Sequence, residues 1–347
     1  MVRIAVDAMG GDFAPHAPVA GALQALSELD PGYVVQLVGR TEVVRAKLDE
    51  LISGDLAHLR EHAHRFELIE APDVIAMTDK PSVALRGKPN SSMVVGLRLQ
   101  VEGRSDAFVS AGNTGAQMAA SAHVLGIQPG LKRPAIGTLF PTAGEPVVVL
   151  DSGANVDCSA QELLQFARLG SVYAECMLGR DNPSVGLLSI GEEAEKGNAV
   201  VKEANQLLGA TSSINFQGNV EGRDVPMGHS DRGPIDVVVC DGFVGNVLLK
   251  FYEALAPLIV GMVGRHVGLD REQLEAAFKH LDYSEHGGAP LLGVKGISII
   301  SHGKSSPRAI KNAVKVGARA VESGLTGQIG RRLEQPTPTV GAETRAS

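Results

Sequence analysis

Short apolar, β-branched runs that stop in a glycine-bearing turn and pass at once into a helical segment recur along this chain, and nothing else in it constrains the fold as strongly. The clearest case is Asp106 to Gly126, DAFVSAGNTGAQMAASAHVLG, where the run ends in Ser110-Ala111-Gly112-Asn113-Thr114-Gly115. A strand that stops, a turn whose backbone can approach a ligand closely, and a helix whose first N–H groups face back at the turn together suit an anion. The same order of features is found at Val6 to Asp12, Leu150 to Asn155, Leu188 to Glu193, Cys240 to Asn246 and Ser301 to Ser306. In an open parallel sheet the carboxyl ends of the strands share one edge, so these turns are expected to converge on a crevice.

Strands are expected at Arg3 to Asp7, Tyr33 to Val38, Phe66 to Ile69, Ala107 to Ser110, Ala135 to Phe140, Val147 to Asp151, Val185 to Ile190, Ile235 to Asp241 and Ile297 to Ser301. Their continuous apolar character fits burial on both faces, and helical stretches between them give a βαβ alternation. The fold class that follows is α/β, Rossmann-like, with a mostly parallel sheet. Ser159-Ala160-Gln161-Glu162 reads as a capping box, and Ser306-Pro307 as a helix start with proline where its missing donor costs nothing.

A chain of 347 residues accommodates one large domain or two lobes, and no linker marks a boundary. Any subdivision must therefore come from insertion into the alternating pattern. The expected organisation is one α/β domain over residues 1–333, a helical segment protruding at about 245–285, and a frayed tail over 334–347. A net charge of -7, 4% aromatic residues and no Trp speak against a nucleic-acid surface. No charged-then-apolar leader precedes the first strand, and the unpatterned Cys158, Cys176 and Cys240 suit a reducing cytoplasm.

Nucleotide signatures fail on spacing. Neither Met9-Gly10-Gly11-Asp12-Phe13 nor Gly112-Asn113-Thr114-Gly115 has the G-x-G-x-x-G pattern. Gly303-Lys304-Ser305 resembles the end of a P-loop, but Ser298 stands where its first glycine would be. What remains are backbone N–H nests, small hydroxyls, and the cations Arg86, Lys88, Lys196 and Lys304, a set suited to inorganic phosphate or a phosphoester. Each turn alone is also ordinary strand-to-helix geometry, and it is their repetition that favours a site.

Glu192 and Lys196 are spaced as a helical ion pair, and Lys196 is equally placed to serve the mouth of the crevice. His58 and His62 share one face if their segment is helical, within polar surroundings that read as surface. His302, ending a strand beside Gly303, suits a general acid or anion ligand. The cysteines lack an evident base and read as structural.

Taken jointly, Val6-Asp7-Ala8-Met9-Gly10-Gly11-Asp12, Ser110-Ala111-Gly112-Asn113-Thr114-Gly115-Ala116, Asp151-Ser152-Gly153-Ala154-Asn155, Asn219-Val220-Glu221-Gly222-Arg223-Asp224, Cys240-Asp241-Gly242-Phe243-Val244-Gly245-Asn246 and Ser301-His302-Gly303 closely resemble the bacterial phosphate acyltransferases of phospholipid synthesis, also called acyl-acyl carrier protein:phosphate transacylases. The resemblance runs from Val2 to about Gly330. It implies transfer of a long fatty acyl group from acyl carrier protein to inorganic phosphate, with no cofactor and no metal. It further implies a homodimer related in fold to phosphotransacetylases and isocitrate dehydrogenases, in the cytoplasm at the inner face of the membrane. The acyl phosphate would pass to a membrane-bound glycerol-3-phosphate acyltransferase.

Phosphate is then itself the nucleophile, so no catalytic Ser or Cys is required. The residues expected to take part in catalysis are Lys196, His302 and Asn113. Those expected to bind phosphate or substrate are Asp7, Gly10, Gly11, Ser110, Gly112, Thr114, Gly115, Asp151, Asn155, Asp241, Asn246, Gly303 and Ser305. Acyl carrier protein is acidic and needs a local basic face, for which Arg86 and Lys88 come first, with Arg265 and Lys279 in addition. Within Leu248 to Val267 the apolar core from Ala254 to Val263 is too short and too interrupted by Pro257 and Gly261 to span a bilayer. It fits either a dimer interface or a tip of Leu258, Ile259, Val260, Met262 and Val263 at the membrane surface. The competing functions are a dehydrogenase of the isocitrate/isopropylmalate type and a non-catalytic membrane scaffold.

Overall fold

A computed structural model describes residues 1–267 and 287–334, so Lys279 and the tail beyond Glu334 lie outside the described residues. The chain forms two compact units. The first comprises Met1–Gln128 and Glu253–Thr326; the second comprises Pro129–Tyr252 and the chain from Gly327. The second is thus inserted into the first, with no composition change to announce it.

In the first unit, strands β1 (Val2–Asp7), β2 (Tyr33–Gly39), β3 (Phe66–Glu70) and β4 (Ala107–Ser110) are joined by Ser298–Ile300 and Ala289–Leu292, in the spatial order β3-β2-β1-β4, Ser298–Ile300, Ala289–Leu292. All pairings are parallel except the last, where Ala289 and Pro290 run antiparallel to Ile300 and Ile299. After β1 the chain moves to one side for β2, and β4 fills the other side. The gap between the ends of β1 and β4 is therefore a topological switch point, where α/β sheets bind ligands. Consecutive residues of β1 and β4 are buried, as strands covered on both faces must be.

Helices His16–Glu28 and Pro307–Glu322 pack on one another very closely. A Cβ on Gly21 would stand 2.4 Å from the Pro307 carbonyl oxygen, so only glycine permits that approach. The expected Ser306 cap is present, its Oγ accepting from Ala309 N at 3.3 Å with Pro307 at the first helical position. Residues 57–65, expected to place His58 and His62 on one α-helical face, instead form a 3-10 segment, whose tighter winding breaks that alignment.

The second unit has a sheet in the order Thr138–Phe140, Val147–Leu150, Val237–Val239, Ser184–Leu188, Asn215–Val220. The first pair is antiparallel and the rest are parallel. The strand expected over Ala135 to Phe140 is two short strands broken at Gly137. Asn215–Val220 was not expected because Asn-Phe-Gln-Gly-Asn-Val is neither apolar nor alternating, as befits a strand at the sheet's edge.

Helix Ala160–Leu178 lies across this sheet, with Gly170 allowing contact with Val237. Its capping box is complete: Ser159 Oγ accepts from Glu162 N at 3.3 Å, and Glu162 Oε2 accepts from Ser159 N at 2.9 Å. Phe140, Val149, Val220, Val238 and their neighbours form the core, against which Tyr252 stacks on Phe140 with ring centroids 4.7 Å apart.

Candidate active site

Three turns at the carboxyl ends of parallel strands meet in the first unit. Asp7, the last residue of β1, is 3% exposed and accepts hydrogen bonds from Ser110 Oγ at 2.7 Å and Met9 N at 3.1 Å. Ser110 Oγ in turn accepts from Gly112 N at 2.9 Å, and the Ser110 carbonyl accepts from Ser301 N at 2.8 Å. Asp12 N donates to the Gly303 carbonyl at 2.7 Å, which ties the first turn to the third.

Glycine is required where these turns touch. A Cβ on Gly10 would lie 2.5 Å from Asp7 Oδ2 and 2.9 Å from Gly112 N, and Gly11 adopts φ +99° against Ala111 and the Gly303 carbonyl. Burial pushes the Asp7 carboxyl above its ordinary range, opposed by hydrogen bonds from Ser92, Ser110, Met9 and Gly10. So deeply placed, Asp7 acts on the shape of the turns rather than on a molecule in solvent.

The third turn borders a cavity of about 280 Å³ lined by Ser301, His302, Lys304, Ser305 and Ser306, with Gly287 and Ala309 completing the wall. Ser301 is 4% exposed, and its Oγ is a buried polar atom without a hydrogen-bond partner among the described residues. Buried hydroxyls are ordinarily paired, so this one marks a place where a ligand or water belongs. Lys304 N donates to His302 Nδ1 at 3.2 Å, which puts the proton of the neutral ring on Nε2. The cavity lies at the start of a sixteen-residue helix, the positive end of whose dipole favours negative charge. With roughly 30 Å³ needed per water, it has room for a tetrahedral oxyanion and hydration.

Asn113 has a different place from the one expected of a catalytic group. Its Oδ1 caps helix Thr114–Val124 by accepting from Ala116 N at 3.0 Å, and its Nδ2 donates to the carbonyls of Met77 and Asp79, each at 3.0 Å. Thr114 is exposed at the first helical residue, while Gly115 lies against Pro81. Lys88 is tied to Asp79 at 2.6 Å and to the Val74 carbonyl at 2.8 Å, whereas Arg86 is exposed.

The expected residues of the second unit gather around Asp151. Its Oδ1 accepts from the backbone N–H groups of Ile136, Gly153 and Ala154 at 3.0, 3.3 and 3.0 Å. Its Oδ2 accepts from Asn155 N at 2.6 Å and Asn155 Nδ2 at 2.9 Å. Burial still raises this carboxyl's pKa. Asp241 caps the next helix by accepting from Val244 N at 2.8 Å, and Asn246 stands beside Gly153. Asp151, Asn155 and Asp241 are thus engaged within their own scaffold, while Asn246 is exposed.

Lys196 lies on the irregular stretch between strand Ser184–Leu188 and helix Ala199–Gly209, not at a helix start. The expected Glu192–Lys196 helical pair is therefore not formed: Gly197 at φ +99° and the Asn198 cap delay the helix, and Glu192 pairs with Arg223 at 3.5 Å. The exposed Lys196 makes no ion pair among the described residues. Sequence reasoning did not single out Ser301 as lining this cavity, or Met77 as lying against the Gly303 turn. Burial pushes the Cys158 thiol up to about 12, in keeping with a structural cysteine. Among the described residues no group of three or more His, Cys, Asp or Glu is arranged for a metal ion.

The fold is that of the phosphotransacylases. The chain superposes on a phosphotransacetylase from Streptococcus pyogenes with a TM-score of 0.61 at 17% identity, covering 92% of this chain and 94% of that one. The EutD phosphotransacetylase from Staphylococcus aureus gives 0.58 at 16% identity over the same shares. At such identities the likeness concerns the fold alone. Sequence is more specific: residues 2–328 match the family described as fatty acid synthesis protein. A phosphate acyltransferase from Desulforamulus reducens is 49% identical over 96% of this chain and 98% of its own length, and one from Moorella thermoacetica is 45% identical over 95% of each. The chain belongs to the phosphate acyltransferase family, a family of acyltransferase enzymes.

Proposed function

We propose that this chain transfers a long-chain fatty acyl group from the thioester of acyl carrier protein to inorganic phosphate, and that phosphate is held in the cavity at Ser301 to Ser306. The observation that supports this reading is that Ser301, whose buried hydroxyl has no partner among the described residues, lines that cavity together with Lys304 at a helix start. A phosphate oxygen attacks the thioester carbonyl carbon, the carbon–sulfur bond breaks, and acyl phosphate leaves with the thiolate taking a proton. His302, whose neutral ring carries its proton on Nε2, is the group assigned to that protonation. The backbone N–H of Gly303 serves the oxyanion, those of Lys304 and Ser305 being taken by the His302 ring and carbonyl, and one such donor is worth roughly 10² to 10³ in rate. The Asp7–Ser110–Gly112 chain fixes the neighbouring turn, and Thr114 offers an exposed hydroxyl from it.

The test is acyl phosphate trapped by hydroxylamine, with phosphate omitted as control. Ser301→Ala should raise the phosphate KM about tenfold, the cost of one hydrogen bond to a charged group. No phosphate-dependent product from the unaltered protein defeats the function; an unmoved phosphate KM in the variant defeats the placement.

Arg86 is the docking cation retained for acyl carrier protein, since Lys88 is engaged by Asp79. Arg86→Glu should raise the KM for that donor without moving the one for phosphate; an unchanged donor KM removes it from the interface. Among the described residues no helix is long and apolar enough to cross a membrane. Helix Gly242–Val267 nonetheless exposes Phe243, Val247, Phe251, Leu258 and Met262. At these spacings they form a stripe, which supports a peripheral hold on the cytoplasmic membrane face or a homodimer contact. Leu258→Asp with Met262→Asp should release the protein from anionic vesicles; retained binding sinks the membrane reading. The product would then pass to a membrane-bound glycerol-3-phosphate acyltransferase.

A further inference from the structure

Met77 is 45% exposed, yet it is not adrift on the surface. A Cβ placed on Gly303 would stand 2.7 Å from Met77 Cε, so the thioether methyl lies directly on the turn that borders the cavity. The backbone that presents it is held from several sides. Asn113 Nδ2 donates to the carbonyls of Met77 and Asp79, Asp79 Oδ2 accepts from Ala76 N at 2.8 Å, and Lys88 ties Asp79 to the Val74 carbonyl. Lys88 holds the Asp79 carboxyl below the usual carboxylate range, so this lock is closed at neutral pH. A loop built to this degree around an exposed methionine is presenting it.

The reacting carbonyl must come within about 3–3.5 Å of a phosphate oxygen. The acyl chain attached to that carbonyl then has to pass the cavity rim, and an unbranched, polarisable thioether suits a chain of varied conformation. We propose that Met77 is a contact for the acyl chain and sets preference for longer acyl groups, with Asn113 as the positioning residue that clasps its loop. The proposal rests on the acyl-transfer reading above.

The experiment compares kcat/KM for palmitoyl and butyryl donors on acyl carrier protein, read as trapped acyl phosphate. Met77→Gln keeps the side chain's length and removes its apolar end; the palmitoyl-to-butyryl ratio should fall about tenfold, the worth of a small apolar contact in a specificity site. Met77→Leu should restore the ratio, and the phosphate KM should move less than about twofold in both. Asn113→Asp keeps an oxygen for the helix cap but replaces the donor that grips the loop. It should lower the ratio in the same direction, and the double variant should fall no further than the larger single effect, as coupled residues do. A parallel loss for both donors, an unchanged ratio, or additive effects overturn the proposal. If the unaltered protein makes no phosphate-dependent product from either donor, the underlying function fails instead, which the omitted-phosphate control identifies separately.

Discussion

Asp7 and Asp151 occupy like places in their own units, each at the carboxyl end of an interior parallel strand, each buried and each with a raised pKa. Their surroundings differ. Asp151 is saturated by the N–H groups of the turn that follows it and of Ile136, so both oxygens are spent on scaffold. Asp7 bonds a hydroxyl, Ser110, that passes the constraint on to Gly112, and its turn adjoins the Gly303 turn and the open cavity beyond. The same residue type after the same kind of strand thus closes one turn on itself and links another to its neighbours. The kind of donor, not burial, separates the two: Asp7 takes side-chain hydroxyls as well as backbone N–H groups, Asp151 only N–H groups.

The glycines pressed against these turns give the largest test of that difference. Gly245→Ala puts a Cβ 1.9 Å from the Asp151 carbonyl oxygen, a backbone atom that cannot step aside. It should cost about 4 kcal/mol or more in a denaturant titration. Gly303→Ala meets only the mobile end of Met77, and should cost less than about 1 kcal/mol while lowering long-chain transfer. Equal costs would mean that the first cluster is as rigid as the second.

Asparagine at the two carboxylates comes next. In Asp151→Asn an amide NH₂ must face N–H donors whichever way it turns, for an expected loss of about 2–4 kcal/mol. In Asp7→Asn the NH₂ can face the Ser110 hydroxyl, so the cost should be nearer 1 kcal/mol, with the effect appearing in phosphate KM instead. A larger stability loss at Asp7 than at Asp151 would reverse the assignment of roles.

The smallest expected signal is in pH. A carboxyl whose folded pKa is raised above its ordinary 3.8 holds its proton more tightly when folded. The stability each such group contributes is therefore fully present below about 3.8, declines as pH rises through the folded pKa, and is absent above it. Asp7→Asn should flatten its share of that slope. An unchanged slope would assign the whole dependence to other groups.

Much of this was legible before any coordinates. Continuous apolar runs marked buried parallel strands, and Ser159 with Glu162 and Ser306 with Pro307 fixed helix starts because capping is local chemistry. That Asp7, Ser110, Gly112 and Gly303 lie in strand-end turns was legible for a similar reason: glycines at the ends of strands betray turns. Ser301 escaped as a site residue because an unpaired hydroxyl is defined by what surrounds it, and serine is common at strand ends. Met77 escaped because its loop has no period, and its position depends on Asn113, distant in sequence. Lys196 was set on a helix by charge spacing, although Gly197 and Asn198 next to it spell a turn and a cap.

The strand Ser298–Ile300 pairs with β4 and supplies the turn that carries the cavity. Ser121 and Ser298, bonded at 2.9 Å, are 177 residues apart in sequence. During synthesis at roughly 5–20 residues per second, β4 would wait roughly 10–35 s for its neighbour to be made. Helix His16–Glu28 waits longer still, for its partner Pro307–Glu322. A ribosome-bound chain thus carries an open sheet edge and a bare apolar helix face until residue 322 has been made, a span over which unpaired edges and apolar faces invite aggregation.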